Sequence, residues 1–178
     1  GGTGDSYGFS IASGSNNNIS SNTIITGLTG ASNYGIRLEA NKNNVSLNTI
    51  NTSGSTNNYG VLIYSTASNN NVVANTINTS GTGGSNYGVY FYASSDNIVS
   101  SNDILTAGTT DNHGVILQID GGLTTKPSRN NVTSNTINIT GTGSAYGIYL
   151  SDSLLNNFTS NNITTSVNAS YGIYITKG

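Results

Sequence analysis

The 178-residue chain contains no cysteine, methionine or tryptophan, and its only proline is Pro127. Without cysteine it forms no disulfide and offers no thiolate to a metal. Charged residues make up 7% of the sequence, against roughly 25% in ordinary soluble proteins. Five Lys and Arg residues cannot build a basic surface, which argues against nucleic acid as a partner. No apolar run approaches about 18 residues, so no segment is predicted to span a membrane.

Asparagine and glycine are abundant, with 30 and 23 residues, and they recur at a fixed period. The tripeptide Asn-Thr-Ile starts at Asn22, Asn48, Asn75 and Asn135, while Asn102-Asp103-Ile104 and Asn161-Asn162-Ile163 occupy the two gaps. The successive steps are 26, 27, 27, 33 and 26 residues. Tyr-Gly keeps the same period at Tyr7, Tyr34, Tyr59, Tyr87, Tyr146 and Tyr171, with His113-Gly114 in the remaining place. A period of roughly 20–50 residues indicates a repeat architecture.

Each repeat contains three short segments with the alternation of β-strands. In the first segment, Val89 and Phe91 are predicted to face the core and Tyr90 and Tyr92 the outside. The second segment is predicted to bury the row Ile19, Val45, Val72, Ile98, Val132 and Phe158. The third is predicted to bury the Ile of each Asn-Thr-Ile. Asn-Gly hairpin signals are absent, and the equivalent strands recur once per repeat, as parallel strands do in a coiled chain.

Two rows of asparagine occur in all six complete repeats and are predicted to be stacked corner residues. Asparagine tolerates the left-handed backbone region, and stacked amides bond to one another in ladders. The first row is Asn22, Asn48, Asn75, Asn102, Asn135 and Asn161. The second is predicted as Asn18, Asn44, Asn71, Asn97, Asn131 and Asn157.

Blocks such as Asn70-Asn71-Val72-Val73-Ala74-Asn75-Thr76-Ile77 resemble those of the right-handed parallel β-helix superfamily, which is pectate-lyase-like. Similar blocks occur in archaeal and bacterial cell-surface repeat proteins and, more distantly, in polysaccharide lyases and hydrolases. The expected fold is therefore all-β: a right-handed parallel β-helix with three short strands per turn of about 26 residues and six to seven turns. Residues 1–178 are expected to be one domain, either a subunit or a fragment of a longer solenoid.

The fifth repeat combines unusual length with unusual chemistry. It contains Asp111, Asp120 and the only histidine, His113, followed by an insertion from Leu123 to Arg129. One interpretation makes Asp111, His113 and Asp120 acid–base groups, with Lys126 and Arg129 holding an anion. The alternative is that His113 replaces tyrosine in a stacked row and the insertion is a surface loop. We favour the second, and predict no catalytic residue, cofactor or metal.

The outward tyrosines suggest an interaction surface. Tyr64, Tyr90, Tyr92, Tyr149 and Tyr174, together with Leu62 and Ile116, would form a larger apolar face than a monomer normally exposes. Such a face would bind glycans, or would be buried against a second copy or another part of the chain, and the aliphatic residues favour the protein contact. An interrupted outward threonine row also raises ice binding as a minor alternative. The predicted self-association residues are Phe9, Ile11, Tyr90, Tyr149, Ile173, Tyr174 and Ile175.

These features predict a non-enzymatic extracellular or cell-surface structural protein that builds a surface layer or filament through its solenoid ends. The alternative is a carbohydrate-binding or carbohydrate-cleaving β-helix protein. If the host glycosylates the protein, Asn51, Asn78 and Asn138 are the predicted acceptors, because each begins an Asn-x-Ser/Thr sequon and should face outward. The sequons at Asn18, Asn44, Asn131 and Asn157 are expected to be crowded in a corner row.

Overall fold

The computed structural model describes residues 4–27, 32–119 and 124–177. These residues form β-strands, turns and bends, without a helix. None of the described segments could therefore cross a membrane as a helix. Asp120, Leu123 and the opening residues Gly1 to Thr3 lie outside the described residues.

In the described ranges, nineteen strands form three parallel sheets. The first sheet contains β1 (Ser6–Ile11), β4 (Asn33–Leu38), β7 (Asn58–Tyr64), β10 (Asn86–Tyr92), β13 (Asn112–Gln118), β16 (Ala145–Ser151) and β19 (Ser170–Thr176). The second contains β2 (Asn18–Ser20), β5 (Asn44–Ser46), β8 (Asn71–Val73), β11 (Ile98–Ser100), β14 (Asn131–Thr133) and β17 (Asn157–Thr159). The third contains β3 (Thr23–Thr26), β6 (Thr49–Gly54), β9 (Thr76–Gly81), β12 (Asp103–Gly108), β15 (Thr136–Ile139) and β18 (Asn162–Thr165).

Each strand pairs in parallel with the equivalent strand of the next repeat. Tyr87, for example, is paired with Tyr59 on one side and His113 on the other. The chain therefore coils as a β-solenoid of about six turns with three strands per turn, which confirms the predicted fold class. The insertion in the fifth repeat lengthens one connection without changing the pairing, since β11 still pairs with β14.

The core is a continuous stack of aliphatic side chains. The predicted rows through Val89, Phe91 and Ile77 are buried along the interior turns. The predicted row in the second sheet is wrong at one position. Val99, not Ile98, is paired with Val72 and Val132 and is buried, while Ile98 is 40% exposed. An extended strand places adjacent residues on opposite faces, so an error of one position reverses the assignment.

A column of glycines brings the first sheet close to the third. A Cβ atom on Gly60 would lie 2.2 Å from Cγ2 of Ile77 and 2.6 Å from the carbonyl oxygen of Gly88. Gly88 stands in the same relation to Ile104 and to Gly114. In every turn that has a following turn, the Gly of the Tyr-Gly pair is therefore required by close packing, whereas Gly172 in the last strand meets no atom within 4 Å.

The predicted ladder through Asn75 is confirmed. The backbone N–H and Nδ2 of Asn75 both donate to Oδ1 of Asn102, at 2.8 and 2.9 Å. Its Nδ2 also donates to the carbonyl oxygen of Val45 at 2.9 Å, and its Oδ1 accepts both donors of Asn48. The same pattern repeats along the row. These amides satisfy buried backbone groups that the corner would otherwise leave unpaired.

The second predicted ladder is displaced by one residue in five of its six turns. Its members are Asn17, Asn43, Asn70, Asn97, Asn130 and Asn156, of which the four interior ones are buried. Their neighbours Asn18, Asn44, Asn71, Asn131 and Asn157 begin strands of the second sheet and lie on its outer surface, more or less exposed. Only Asn97 was assigned correctly.

A third ladder was not predicted. Asn33, Asn58, Asn86 and Asn112 are buried, and each Nδ2 of the first three donates to Oδ1 of the next member at 2.9–3.1 Å. The signal in the sequence is the Asn that precedes Tyr-Gly or His-Gly in four repeats.

In the ladders through Asn75 and Asn97, the sharp corner is made by the residue before each asparagine, not by the asparagine itself. Ala74, before Asn75, has a φ of 55°, and Asp96, before Asn97, has a φ of 58°. Leu47 and Leu155 also adopt this left-handed conformation, although only Gly, Asn and Asp tolerate it readily. The bonds of the following buried amide therefore hold residues of many types in a conformation that they disfavour.

We expect Asn75→Ala to destabilise the solenoid by about 3 kcal/mol or more, because it leaves the buried N–H of Asn48 and the carbonyl of Val45 without their partner. The control is Asn78→Ala in the strand that follows Asn75, where the half-exposed amide bonds to Asn51 and its loss should cost little. Urea unfolding of both variants measures the difference. Equal stability of the two would show that the ladder contributes nothing.

A second prediction concerns an inward threonine row. The hydroxyls of Thr26, Thr52, Thr79 and Thr106 are buried without a hydrogen-bond partner among the described residues, and Ile139 occupies the same place in the fifth turn. We expect Thr79→Val to stabilise the protein by about 1 kcal/mol, because it removes an unsatisfied buried hydroxyl at nearly constant volume. Thr76→Val on the exposed face is the matched control. A loss of stability in Thr79→Val would show that the hydroxyl is bonded in solution.

Candidate functional site

The candidate site is the outer surface of the first sheet, which we call the tyrosine face. Its first row contains Tyr7, Tyr34, Tyr59, Tyr87, His113, Tyr146 and Tyr171. Consecutive ring centroids in this row are 4.8–5.8 Å apart, so one aromatic column runs through all seven strands. Stacked aromatic pairs contribute about 0.5–1.5 kcal/mol each beyond their buried area.

The column departs from simple strand alternation. Val89 lies in the core and Tyr87 packs with Tyr90 on the outer surface, although Tyr87 and Val89 are two residues apart. Gly88 between them also faces inward, since a Cβ there would meet Cγ2 of Ile104. The glycine and the residue after it therefore both face inward, which interrupts the alternation. As a result the preceding tyrosine faces outward and adds to the outer aromatic surface.

The second row of the tyrosine face is more buried than predicted. Leu62, Tyr90 and Ile116 are only 4%, 5% and 1% exposed, because the tyrosines of the two flanking rows cover them. The expected large exposed apolar patch is therefore absent around these residues. The argument that Leu62 and Ile116 favour a protein contact over a sugar loses its basis.

Ring orientation limits what this surface can bind. The rings of Tyr59, Tyr87, His113 and Tyr146 are nearly parallel, with interplanar angles of 4–15°. Each inner ring is thus covered on both faces by its neighbours and presents an edge outward. Tyr90 is perpendicular to Tyr59 and Tyr87, and its hydroxyl accepts a hydrogen bond from Nε2 of Gln118 at 2.9 Å.

A shallow depression of about 190 Å³ interrupts the face above Leu62. Its walls are Tyr34 and Tyr59 on one side, Tyr64 and Tyr92 on the other, and Tyr90 at one end. It exists because leucine is shorter than its neighbours in the second row, Arg37 and Tyr90. It is a concave feature of the tyrosine face into which part of a small ligand would fit.

Arg37 is held within the same surface. Its guanidinium lies 4.8 Å from the ring centroid of Tyr64 and 5.7 Å from that of Tyr7. It also donates to the hydroxyl of Tyr7 at 3.2 Å and forms an ion pair with Glu39. Its charge is therefore balanced inside the face and is not directed at an outside anion.

The residues of the alternative acid–base site are not brought together. Lys126 pairs with Asp152 at 3.4 Å, and Arg129 binds Asp96 through two hydrogen bonds of 2.7 Å. Those bonds lower the pKa of the Asp96 carboxyl. Asp120 lies outside the described residues. Within residues 4–27, 32–119 and 124–177, no three His, Asp or Glu side chains cluster as a metal site would require.

His113 belongs to the aromatic column, as the second interpretation expected. It is 5% exposed and stacks between Tyr87 and Tyr146, at 5.1 and 4.8 Å. Its Nδ1 is buried without a hydrogen-bond partner among the described residues. Burial lowers the pKa of His113 to about 4, although Asp111 opposes the shift. Asp111 itself is exposed and forms the corner before Asn112, with a φ of 45°.

The predicted self-association residues fall into two groups. In the end strands, Phe9, Ile173 and Ile175 are 39%, 47% and 65% exposed, while Ile11 and Tyr174 are half-buried. On the tyrosine face, Tyr149 is half-buried and Tyr90 is largely covered. Tyr174 lies 4.7 Å from Tyr146, so it extends the aromatic surface to the last strand.

The predicted glycosylation residues lie on the outer surface of the third sheet. Asn51 and Asn78 are half-exposed and Asn138 is exposed, with the amide of Asn78 donating to Asn51 at 2.9 Å. The second sheet corrects the expectation for the other sequons. Asn18 and Asn157 are exposed on its outer surface and are not enclosed in a corner ladder.

Comparison with known proteins adds no relative: no protein-family model, no curated protein and no solved structure matches the chain. The fold and the geometry of its surfaces are therefore the basis for any functional conclusion.

We expect stability to fall as the pH drops from about 6.5 to about 4, because the unfolded chain takes up the His113 proton before the folded chain does. A pKa shift of this size corresponds to about 3 kcal/mol at the lower end of the window. The control is His113→Tyr, which restores the residue of the other turns and should reduce the loss. Urea unfolding at several pH values tests this, and identical pH profiles would contradict it.

Proposed function

We propose that the protein is a non-enzymatic structural component of the cell exterior, acting as a subunit or segment of a surface layer or filament. The observation that carries the proposal is the exposure at the end strands. Ile173 and Ile175 are 47% and 65% exposed, while their equivalents Ile148 and Leu150 in the preceding strand are 0% and 6% exposed. One further turn, from another copy or from further sequence of the same chain, would bury them.

The interior of the solenoid supports a mechanical role. Three asparagine ladders, the glycine column and the aromatic column all connect one turn to the next along the axis. Within the described part of the chain, three ion pairs also pair a basic side chain with an acidic one. These features make a rigid rod. The location outside the cell is part of the proposal and rests on the resemblance to surface β-helix proteins.

A second candidate function is carbohydrate binding, which the depression above Leu62 favours. Its tyrosine walls would offer phenol edges and hydroxyls to a sugar. The covered ring faces of the aromatic column weigh against an extended stacking platform of the kind that polysaccharide chains use. Carbohydrate cleavage has less support, because Asp96 and Asp152 are engaged in ion pairs.

Stacking between copies is tested by electron microscopy and sedimentation of the isolated chain. We expect fibres or concentration-dependent oligomers that Ile175→Lys reduces, because a charge would be buried at the contact. The matched control is Leu47→Lys, which changes a side chain of similar exposure, 64%, at a lateral corner and should leave assembly intact. A stable monomer that forms no fibres and binds to a glycan array would overturn the structural proposal in favour of the carbohydrate one.

A further inference from the structure

Tyr64 and Tyr92 form a pair of parallel, stacked phenols on the tyrosine face. They are paired in register on β7 and β10, their ring centroids are 4.9 Å apart, and the angle between their planes is 11°. Both side chains are half-buried, so small molecules in solvent reach their edges. In-register parallel strands place equivalent ring atoms over one another.

On either side of the pair, the row carries side chains that have no ring. The same row continues as Glu39 before Tyr64 and as Gln118 after Tyr92. The guanidinium of Arg37 lies over the ring of Tyr64. Tyr90 also touches Tyr92, but at an interplanar angle of 83° and in a buried position.

We propose that Tyr64 and Tyr92 are a site of oxidative dityrosine formation, which joins two neighbouring turns covalently. The co-reactant is a one-electron oxidant, such as a peroxidase supplied with hydrogen peroxide. Each phenol loses one electron and its hydroxyl proton, and the two radicals form a carbon–carbon bond between ring carbons ortho to the oxygens. Each of these carbons then loses its proton while the oxygen regains one. Two tyrosines and one hydrogen peroxide thus give one dityrosine and two waters.

The fold selects this pair over other tyrosines. Tyr59 and Tyr87 are also parallel, at 4° and 4.9 Å, but Tyr87 is buried and its other face is covered by His113. Tyr146 is in contact with several aromatic neighbours, so a radical there has no single partner. Tyr64 and Tyr92 combine access to solvent with rings that are parallel to each other. This inference does not depend on the proposed function.

The test oxidises the dilute folded protein with a photo-generated ruthenium(III) complex, using persulfate as the terminal electron acceptor. Persulfate is reduced to two sulfates as two tyrosines lose two electrons and two protons. We expect dityrosine fluorescence, and peptide mass spectrometry should find the Tyr64 and Tyr92 peptides joined with the loss of two hydrogens. The same treatment in urea should abolish the preference for this pair, because the preference requires the stacked turns.

The matched variants are Tyr64→Phe and Tyr90→Phe, each of which removes only a hydroxyl. Tyr64→Phe should eliminate the linked peptide, whereas Tyr90→Phe, at the perpendicular and buried ring, should retain it. Linkage that is as frequent in urea as in buffer would overturn the proposal. So would crosslinks confined to Tyr146 and Tyr174, or to pairs in different molecules.

Discussion

The stacking of buried asparagine amides at the spacing of parallel strands is the constraint on which the rest of the structure depends. Each Oδ1 in the ladders through Asn75 and Asn97 accepts both a backbone N–H and a side-chain N–H from the turn before it. A corner without this amide would bury unsatisfied backbone groups in every turn. Once the ladders form, the residue before each asparagine accepts a left-handed conformation. The three strands of a turn then follow in register with those of the turn before.

Much of this architecture was predictable from the sequence, because the residues that recur once per repeat each have the same structural role in successive turns. The Ile of Asn-Thr-Ile faces the core, and the Gly of the Tyr-Gly pairs in the interior turns occupies a place where a Cβ would collide. Errors arose where neighbouring residues have the same chemistry. In runs such as Asn69-Asn70-Asn71, composition does not show which amide is buried, and the choice changes the face of every following residue. Asp96-Asn97-Ile98 contains only one asparagine, so there the buried amide can be identified from the sequence. Two residues after it, Val99 and not Ile98 completes the core row.

The tyrosine face shows a different limit on prediction. Alternation correctly placed Leu62 and Ile116 on the outer side of the first sheet. It did not show that tyrosines from the flanking rows cover them, because that depends on ring orientation across strands and on the glycine that turns Tyr87 outward. His113 illustrates the same point. Its chemistry suggested an acid–base site, whereas its neighbours on both sides are tyrosine rings and its buried position keeps it neutral near pH 7.

The ladders also give the rod a direction. In all three, the amide nitrogen donates toward the later turn: Asn33 to Asn58, Asn43 to Asn70, and Asn48 to Asn75. The backbone N–H groups that bond to the same oxygens fix this orientation in two of them. The amide dipoles therefore add along the axis, with oxygens toward the first turn and N–H groups toward the last. Two such rods stacked end to end are electrostatically matched only when they point the same way, so a fibre built by end-to-end stacking would be polar, with two chemically distinct tips that grow by different contacts.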